Sequence, residues 1–217
     1  MKYCFHYLLI VLSISSFGQD QWKNVYAESA WAERDKWQRA NEIIKQLNLK
    51  SGSTVADVGC HEGYMSVKLS AVVGKNGSVL AVDISQSKLD KLSNHLRERK
   101  IVNVRVVKGE YDNPKLPPAS LDAVIILDAY HEMDDHDKIL QHIKTALKPG
   151  GRLVLCEPIA EERRKLSRED QERKHELGMN FASADLLKAG FVIIMKQDPF
   201  VDRSKEKGDK MWLLVAK

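Results

Sequence analysis

The run Asp57-Val58-Gly59-Cys60-His61-Glu62-Gly63-Tyr64 carries the residue types of a ligand-gripping turn. Glycines at 59 and 63 let the chain bend sharply and let a ligand approach the backbone, and the amides that open a following helix favour an anionic group. Twenty residues beyond Gly63 stands Asp83, placed to accept hydrogen bonds from the two hydroxyls of a ribose. Gly59 and Gly63 are four apart, so the GxGxxG spacing of a dinucleotide turn is not met. Glu62 adds a negative charge that a pyrophosphate would oppose and an amino-acid ammonium would welcome. The electrostatics favour a nucleoside bearing an amino acid over a dinucleotide.

A second cluster, His131-Glu132-Met133-Asp134-Asp135-His136, invites a metal reading. Its histidines are five apart, which turns their side chains roughly 140° from each other on a helix, unlike the four-residue spacing of a zinc-protease helix. Met133-Asp134 fits a helix start with Asp134 or Asp135 as the cap, so no metal site is expected here. Cys60 and Cys156 belong to the first and fifth strands, too far apart for a disulfide if the fourth strand lies between them. Residues 161–176 hold six basic and six acidic side chains. A solvated helix of neighbouring opposite charges accounts for them, the functional alternative being an insertion that covers an acceptor. No aromatic-basic stripe supports base stacking, so no nucleic-acid partner is expected.

These residues sit on an alternation of strands and helices. Strands are expected at 54–59, 78–83, 104–108, 122–128 and 152–156, and helices at 64–73, from a Ser85 cap to 100, and at 134–147. Continuous apolar strands separated by helices call for a parallel sheet covered on both faces. The end of the chain departs from this rhythm: a helix at 183–189 precedes strands at 191–196 and 211–216, joined by a charged loop, 198–210. That connection is too short for a crossover helix, so the last two strands pair antiparallel.

Ahead of the sheet, residues 20–49 read as helical, with Ala40, Ile43, Ile44 and Leu47 on one face and Trp22, Tyr26, Trp31 and Trp37 before them. The segment 19–50 is either a helix packed on the main domain or a lid over its ligand. Residues 1–18 show a basic start, an apolar run at 7–14 and small residues before Gln19, the layout of a cleavable export signal. The expected location is therefore outside the cytoplasm, in the periplasm or the medium, the alternative being a buried helix or a downstream translation start and a cytoplasmic protein. The apolar run is too short for a stable membrane span. The remaining 51–217 form one ligand-binding domain. With 43% apolar and 29% charged residues among 217, the chain suits one compact domain and excludes a disordered or collagen-like one. A net charge of +4 from 34 basic and 30 acidic residues is too slight to imply a polyanion.

The chain resembles the class I S-adenosylmethionine-dependent methyltransferases. The resemblance is carried by Val55-Ala56-Asp57-Val58-Gly59 with Gly63, by Asp83, and by Leu147-Lys148-Pro149-Gly150-Gly151-Arg152-Leu153. Trp31-Ala32-Glu33-Arg34-Asp35-Lys36-Trp37-Gln38 and Asp128-Ala129-Tyr130-His131 are similar to a subgroup of small, often exported bacterial methyltransferase-domain proteins. It implies a Rossmann-like, doubly wound α/β fold whose mostly parallel seven-stranded sheet ends in an antiparallel C-terminal strand. It also implies S-adenosyl-L-methionine as cofactor and a small-molecule methyl acceptor. On this resemblance Asp57 orients the methionine end of the cofactor, Gly59, Cys60, His61 and Gly63 line it through backbone atoms, and Asp83 holds the ribose. Ile84 presses on the adenine, Glu110 lies at the adenine edge and Asp128 faces the methionine portion. His61 stands where such families have glycine, so its ring must turn outward. Tyr130 and His131 follow the fourth strand at the site mouth, with His131 the candidate base, unless it only caps a helix or pairs with a carboxylate. The alternatives are a nucleoside-binding module without turnover and, disfavoured by the loop spacing and Glu62, a nicotinamide-dependent oxidoreductase.

Overall fold

Seven strands line up as a single sheet in the order β3-β2-β1-β4-β5-β7-β6. They are β1 (Thr54–Val58), β2 (Ser78–Asp83), β3 (Val104–Lys108), β4 (Leu121–Leu127), β5 (Leu147–Ile159), β6 (Ile193–Arg203) and β7 (Asp209–Ala216). The computed structural model describes residues 26–217. The expected export signal and residues 19–25, Trp22 among them, lie outside the described residues. β1 pairs in parallel with β2 and β4, and β7 runs antiparallel to both β5 and β6. Val124 and Ile126 of β4 face one apolar cluster while Ala123, Ile125 and Leu127 face the other, so the strand needs apolar residues throughout.

Helices cover both faces, and their apolar spacing explains which side they bury. In α4 (Gln86–Glu98) Leu89, Leu92 and Leu96 form one buried stripe. α5 (His136–Ala146) buries Ile139, Leu140, Ile143 and Ala146, and the Asp135 side chain caps it by accepting from the Lys138 amide at 3.1 Å. α3 (Tyr64–Val73) leaves the glycine turn, and α7 (Met179–Lys188) packs against β6 and β7. Among the described residues no helix is long and apolar enough to cross a membrane.

Four expectations are corrected. The helix read across 20–49 is broken into a 3-10 turn (Glu28–Ala30), α1 (Trp31–Trp37) and α2 (Ala40–Gln46). The break falls at Arg39, whose φ of 53° is left-handed. Buried Gln38 and the Arg39 guanidinium there turn to Met211 and to the Phe200 carbonyl. Ser85 precedes α4 without a side-chain capping bond; its amide donates to Asp83 Oδ1 at 2.8 Å. β5 is much longer than 152–156 because its far half is covered by β7. The expected loop 198–210 is instead the end of β6, the single-turn helix α8 (Ser204–Lys207) and the start of β7. Arg203 holds that corner: its guanidinium, 1% exposed, is clamped between Asp128 and Asp209.

The chain order reverses between β1 and β4, one leading toward β2 and β3, the other toward β5. Ligands of such sheets sit beyond the carboxyl ends of the strands at that crevice.

Candidate active site

A cavity of about 840 Å³ opens there, a size suited to a nucleoside-scale ligand. Gly59, Cys60 and His61 line one wall, Asp83, Ile84 and Glu110 continue it, and Asp128, His131 and Glu132 face them. The glycine turn is held by the main chain. The Gly59 and Cys60 amides donate to the Val82 carbonyl at 2.8 and 3.0 Å, and the His61 amide donates to Asp83 Oδ2 at 2.9 Å. Gly59 takes φ +81°, and a Cβ there would lie 2.5 Å from that of Ala129, so the β1 and β4 ends can meet only through glycine. Gly63, at φ +92°, lies behind the wall, where a Cβ would strike Leu92 of α4.

The charges of this wall are arranged differently from the sequence reading. The anion at the opening of α3 is the chain's own Asp57, whose Oδ2 accepts from the Ser66 hydroxyl at 2.5 Å. Burial pushes its carboxyl up to about 6, against the pull of Ser66 and Arg34. Glu62 does not face the cavity. It turns beneath α4, where Lys91 pairs with it at 2.8 Å, the Glu28 amide donates to it at 3.1 Å, and Lys88 and His95 stand 3.9 Å away. The ammonium-attracting role read for it is therefore overturned; Asp57 and Asp83, with Glu110 farther along, are the carboxylates on this wall. Asp83 Oδ1 and Oδ2 each accept one backbone amide, which orients the group and leaves lone pairs for further donors. Ile84 is an exposed apolar side chain on the cavity surface, and Glu110 at its rim pairs with Lys115 at 2.8 Å.

His61 has φ 51°, and its ring packs against Tyr26 with centroids 5.4 Å apart. Burial and then nearby Lys88 push the imidazole down to about 4, so it is neutral. Cys60 and Cys156 are free, buried thiols, with β4 between their strands. Burial pushes both up, which makes them poor nucleophiles.

The opposite wall depends on side chains brought from far along the chain. Asp128, in the left-handed region at φ 57°, accepts from the Tyr26 hydroxyl at 2.8 Å and from Arg203 at 2.6 Å. Burial opposes its ionisation, but Arg203, Lys207 and His131 outweigh that and hold its carboxyl well below the usual carboxylate range. It thus lines the cavity as half of an ion pair, and Arg203 lines it beside Asp128.

The catalytic expectations change most. Tyr130 is not at the mouth. Its side chain is buried in the core, edge-on to the His136 ring with centroids 4.4 Å apart and its hydroxyl donating to Asp185 at 2.9 Å. His131 does face the cavity, yet its Nδ1 lies 2.6 Å from Glu157 Oε2, a fully buried carboxylate that also accepts from the Ala129 and Tyr130 amides. Burial opposes its charge, but Glu157 and then Glu132 raise its pKa to about 10. The carboxylate pairing that was the alternative to a base role is thus present in the structure. His136 turns away and bonds the Tyr130 carbonyl at 2.9 Å, whereas His131 and Glu132 meet His175 from the segment after β5.

Residues 161–176 form no single helix. A turn (Glu161–Arg163) and α6 (Arg168–Glu172) are fastened by buried Gln171, which donates to the Arg163 carbonyl at 3.0 Å and accepts from the Gly178 amide at 2.7 Å. The segment brings Arg163, Arg173, Lys174 and His175 to the cavity. The N-terminal segment adds Tyr26 and Arg34, the latter 4.2 Å above the Tyr64 ring. Sequence reasoning missed Arg34, Glu157, His175 and Arg203 because each is one charge among many until the fold sets it on this wall.

Comparisons with known proteins bear on the fold and the family. The methyltransferase-domain family matches residues 49–211. A demethylmenaquinone methyltransferase of Geobacillus sp. (strain WCH70) is 28% identical over 122 residues, 56% of this chain and 51% of that protein. The ubiquinone/menaquinone biosynthesis C-methyltransferase UbiE of Marinomonas sp. (strain MWYL1) is 32% identical over 122 residues, 56% of this chain and 48% of that protein. The chain thus spans about half the length of the curated relatives it matches. A solved SAM-dependent methyltransferase from Aquifex aeolicus superposes with a TM-score of 0.72 at 23% identity, covering 85% of this chain and 92% of that one.

Proposed function

The chain belongs to the class I S-adenosylmethionine-dependent methyltransferases, and from that premise we infer that it moves a methyl group onto a small, hydroxylated acceptor by in-line displacement. The observation that carries this reading is a single cavity that takes in the glycine turn, the Asp83 carboxylate and a basic rim. When bound, S-adenosylmethionine supplies a methyl group already activated on a positively charged sulfur. Asp83, aimed by two amides, accepts from the ribose hydroxyls, and Ile84 offers the adenine an apolar face. Asp57, ionised above pH about 6, attracts the ammonium. Arg34 lines the same space and suits the carboxylate. The residues present therefore fit the group.

With activation supplied by the sulfonium, the chain has only to align the acceptor and exclude water. Arg163, Arg173 and Lys174 also line the cavity, the first two paired with Glu176 and Asp170. The quinone-directed names of the relatives make hydroxylated aromatic rings the first class to assay. Calorimetry should show the full chain binding S-adenosylhomocysteine and not NAD. Labelled-methyl transfer to a panel of phenols and hydroxyquinones should then show turnover. Failure to bind S-adenosylhomocysteine would sink the reading, and binding without transfer to any acceptor in a metabolite extract would favour a nucleoside-binding module without turnover. The apolar start at residues 7–14 supports export with cleavage after Gly18; amino-terminal sequencing should find Gln19 first, and a mature chain beginning at Met1 would overturn it.

A further inference from the structure

We propose that His131, Glu132 and His175 form a binding site for one divalent first-row transition-metal ion, such as Zn²⁺, at the acceptor end of the cavity. Each of the three offers a ligand atom, and these atoms all lie within 4.8 Å of one another. Around a tetrahedral ion with bonds of ~2.0–2.1 Å, ligand atoms stand about 3.4 Å apart, so the cluster closes by small side-chain rotations. The groups that must rotate are the ones with room: the Glu132 and His175 side chains are 57% and 72% exposed. The third is already held. His131 is 4% exposed, and its Nδ1 faces fully buried Glu157 at 2.6 Å. That leaves Nε2, 3.4 Å from Glu132 Oε1, as the ligand atom.

Glu157 is the independent observation that separates this cluster from a surface ion pair. Its Oε1 accepts from the Ala129 and Tyr130 amides at 2.8 and 3.0 Å while Oε2 faces the imidazole. A fixed carboxylate on the far ring nitrogen is the arrangement that orients metal-binding histidines and raises their basicity. Two imidazoles and one carboxylate favour zinc, cobalt, nickel or iron over magnesium or calcium, which prefer all-oxygen cages. Three protein ligands leave a fourth position open. All three residues line the cavity that holds Asp57 and Asp83, so the open position faces the space left for the acceptor. Resting on the methyltransferase reading, the ion would activate the acceptor. A hydroxyl bound to it releases its proton to water more easily and meets the methyl group as an oxyanion.

The test uses the chelator-treated full chain. Zn²⁺ alone is titrated by calorimetry, and Co²⁺ alone is followed by its visible absorbance. One equivalent per chain is expected. His175→Ala should abolish it, Glu132→Gln should weaken it at least tenfold, and Glu157→Gln should weaken it ~10–100-fold. His142→Ala, which removes an exposed histidine of α5, should change nothing. No uptake, or uptake that survives His175→Ala, or uptake lost equally in His142→Ala, would overturn the site. S-adenosylhomocysteine binding measured on the same samples reports folding and the methyltransferase reading separately. Its retention in a chain that takes up no metal would remove the metal site and leave that reading intact.

Discussion

The two walls of the cavity are built by different means. On the cofactor side, a turn of five residues is held by its own amides and by the neighbouring strand, and side chains contribute little beyond Asp57 and Asp83. On the opposite wall, Asp128 needs Tyr26 and Arg203, and His131 needs Glu157 and faces Glu132 and His175. One wall is local and made of backbone; the other is made of charged pairs drawn from opposite ends of the chain. The first can be shared by many proteins with different acceptors, because a main-chain turn fixes the ligand's position without specifying what lies opposite. The second is where one protein can differ from its relatives.

The difference predicts where substitutions are felt. The largest effect is expected for Arg203→Ala, which strands Asp128 and Asp209 in the interior. Breaking a buried pair from one side costs about 3–5 kcal/mol, to be read from urea denaturation. A loss below about 1 kcal/mol would show that this wall is wetter than its burial suggests. Next, Asp83→Ala removes a charged acceptor and should weaken S-adenosylhomocysteine binding by roughly 1–3 kcal/mol with little effect on the opposite wall. Unchanged affinity would place the ribose elsewhere.

A smaller, pH-dependent effect follows from Asp57. Its folded pKa of about 6 is raised above the ordinary carboxylate value, so between those two values the folded chain holds more protons than the unfolded one. The contribution of Asp57 to stability therefore falls as pH rises through that window. Cofactor affinity should move the opposite way, weakening as pH drops below about 6, because a protonated carboxyl no longer attracts an ammonium. Asp57→Asn should flatten both trends in parallel denaturation and calorimetry series; trends that persist would assign them to another group. The smallest change is expected for His61→Gly. It relieves a left-handed residue whose ring already leans on Tyr26, and should leave affinity within about twofold. A tenfold loss would mean that the imidazole, and not the backbone alone, belongs to the cofactor wall.

The same contrast explains what could be read in advance. The strands β1 to β4, the helices α3 and α5 and the glycine turn follow from short-range rules: an apolar run, a helical stripe, a glycine where the chain must bend. Asp83 is legible for the same reason, since it ends a strand at a fixed distance from that turn. Glu62 misled because a charge in a turn can face either side, and Lys88, Lys91 and His95 of α4 drew it under the helix. Tyr130 and His131 were rightly placed after β4, but consecutive residues in a 3-10 turn point in different directions. One ring entered the core and the other faced the cavity.

The amino-acid order alone determined a doubly wound sheet, its final antiparallel reversal and the glycine turn after β1, because hydrophobic periodicity and glycine placement act over a few residues. Only the tertiary structure decided the Glu157 carboxylate beside His131, the partner of Asp128 and the company of His175. Those depend on which charges share a low-dielectric space, and charges tens of residues apart acquire that relation only when the strands that carry them are set side by side.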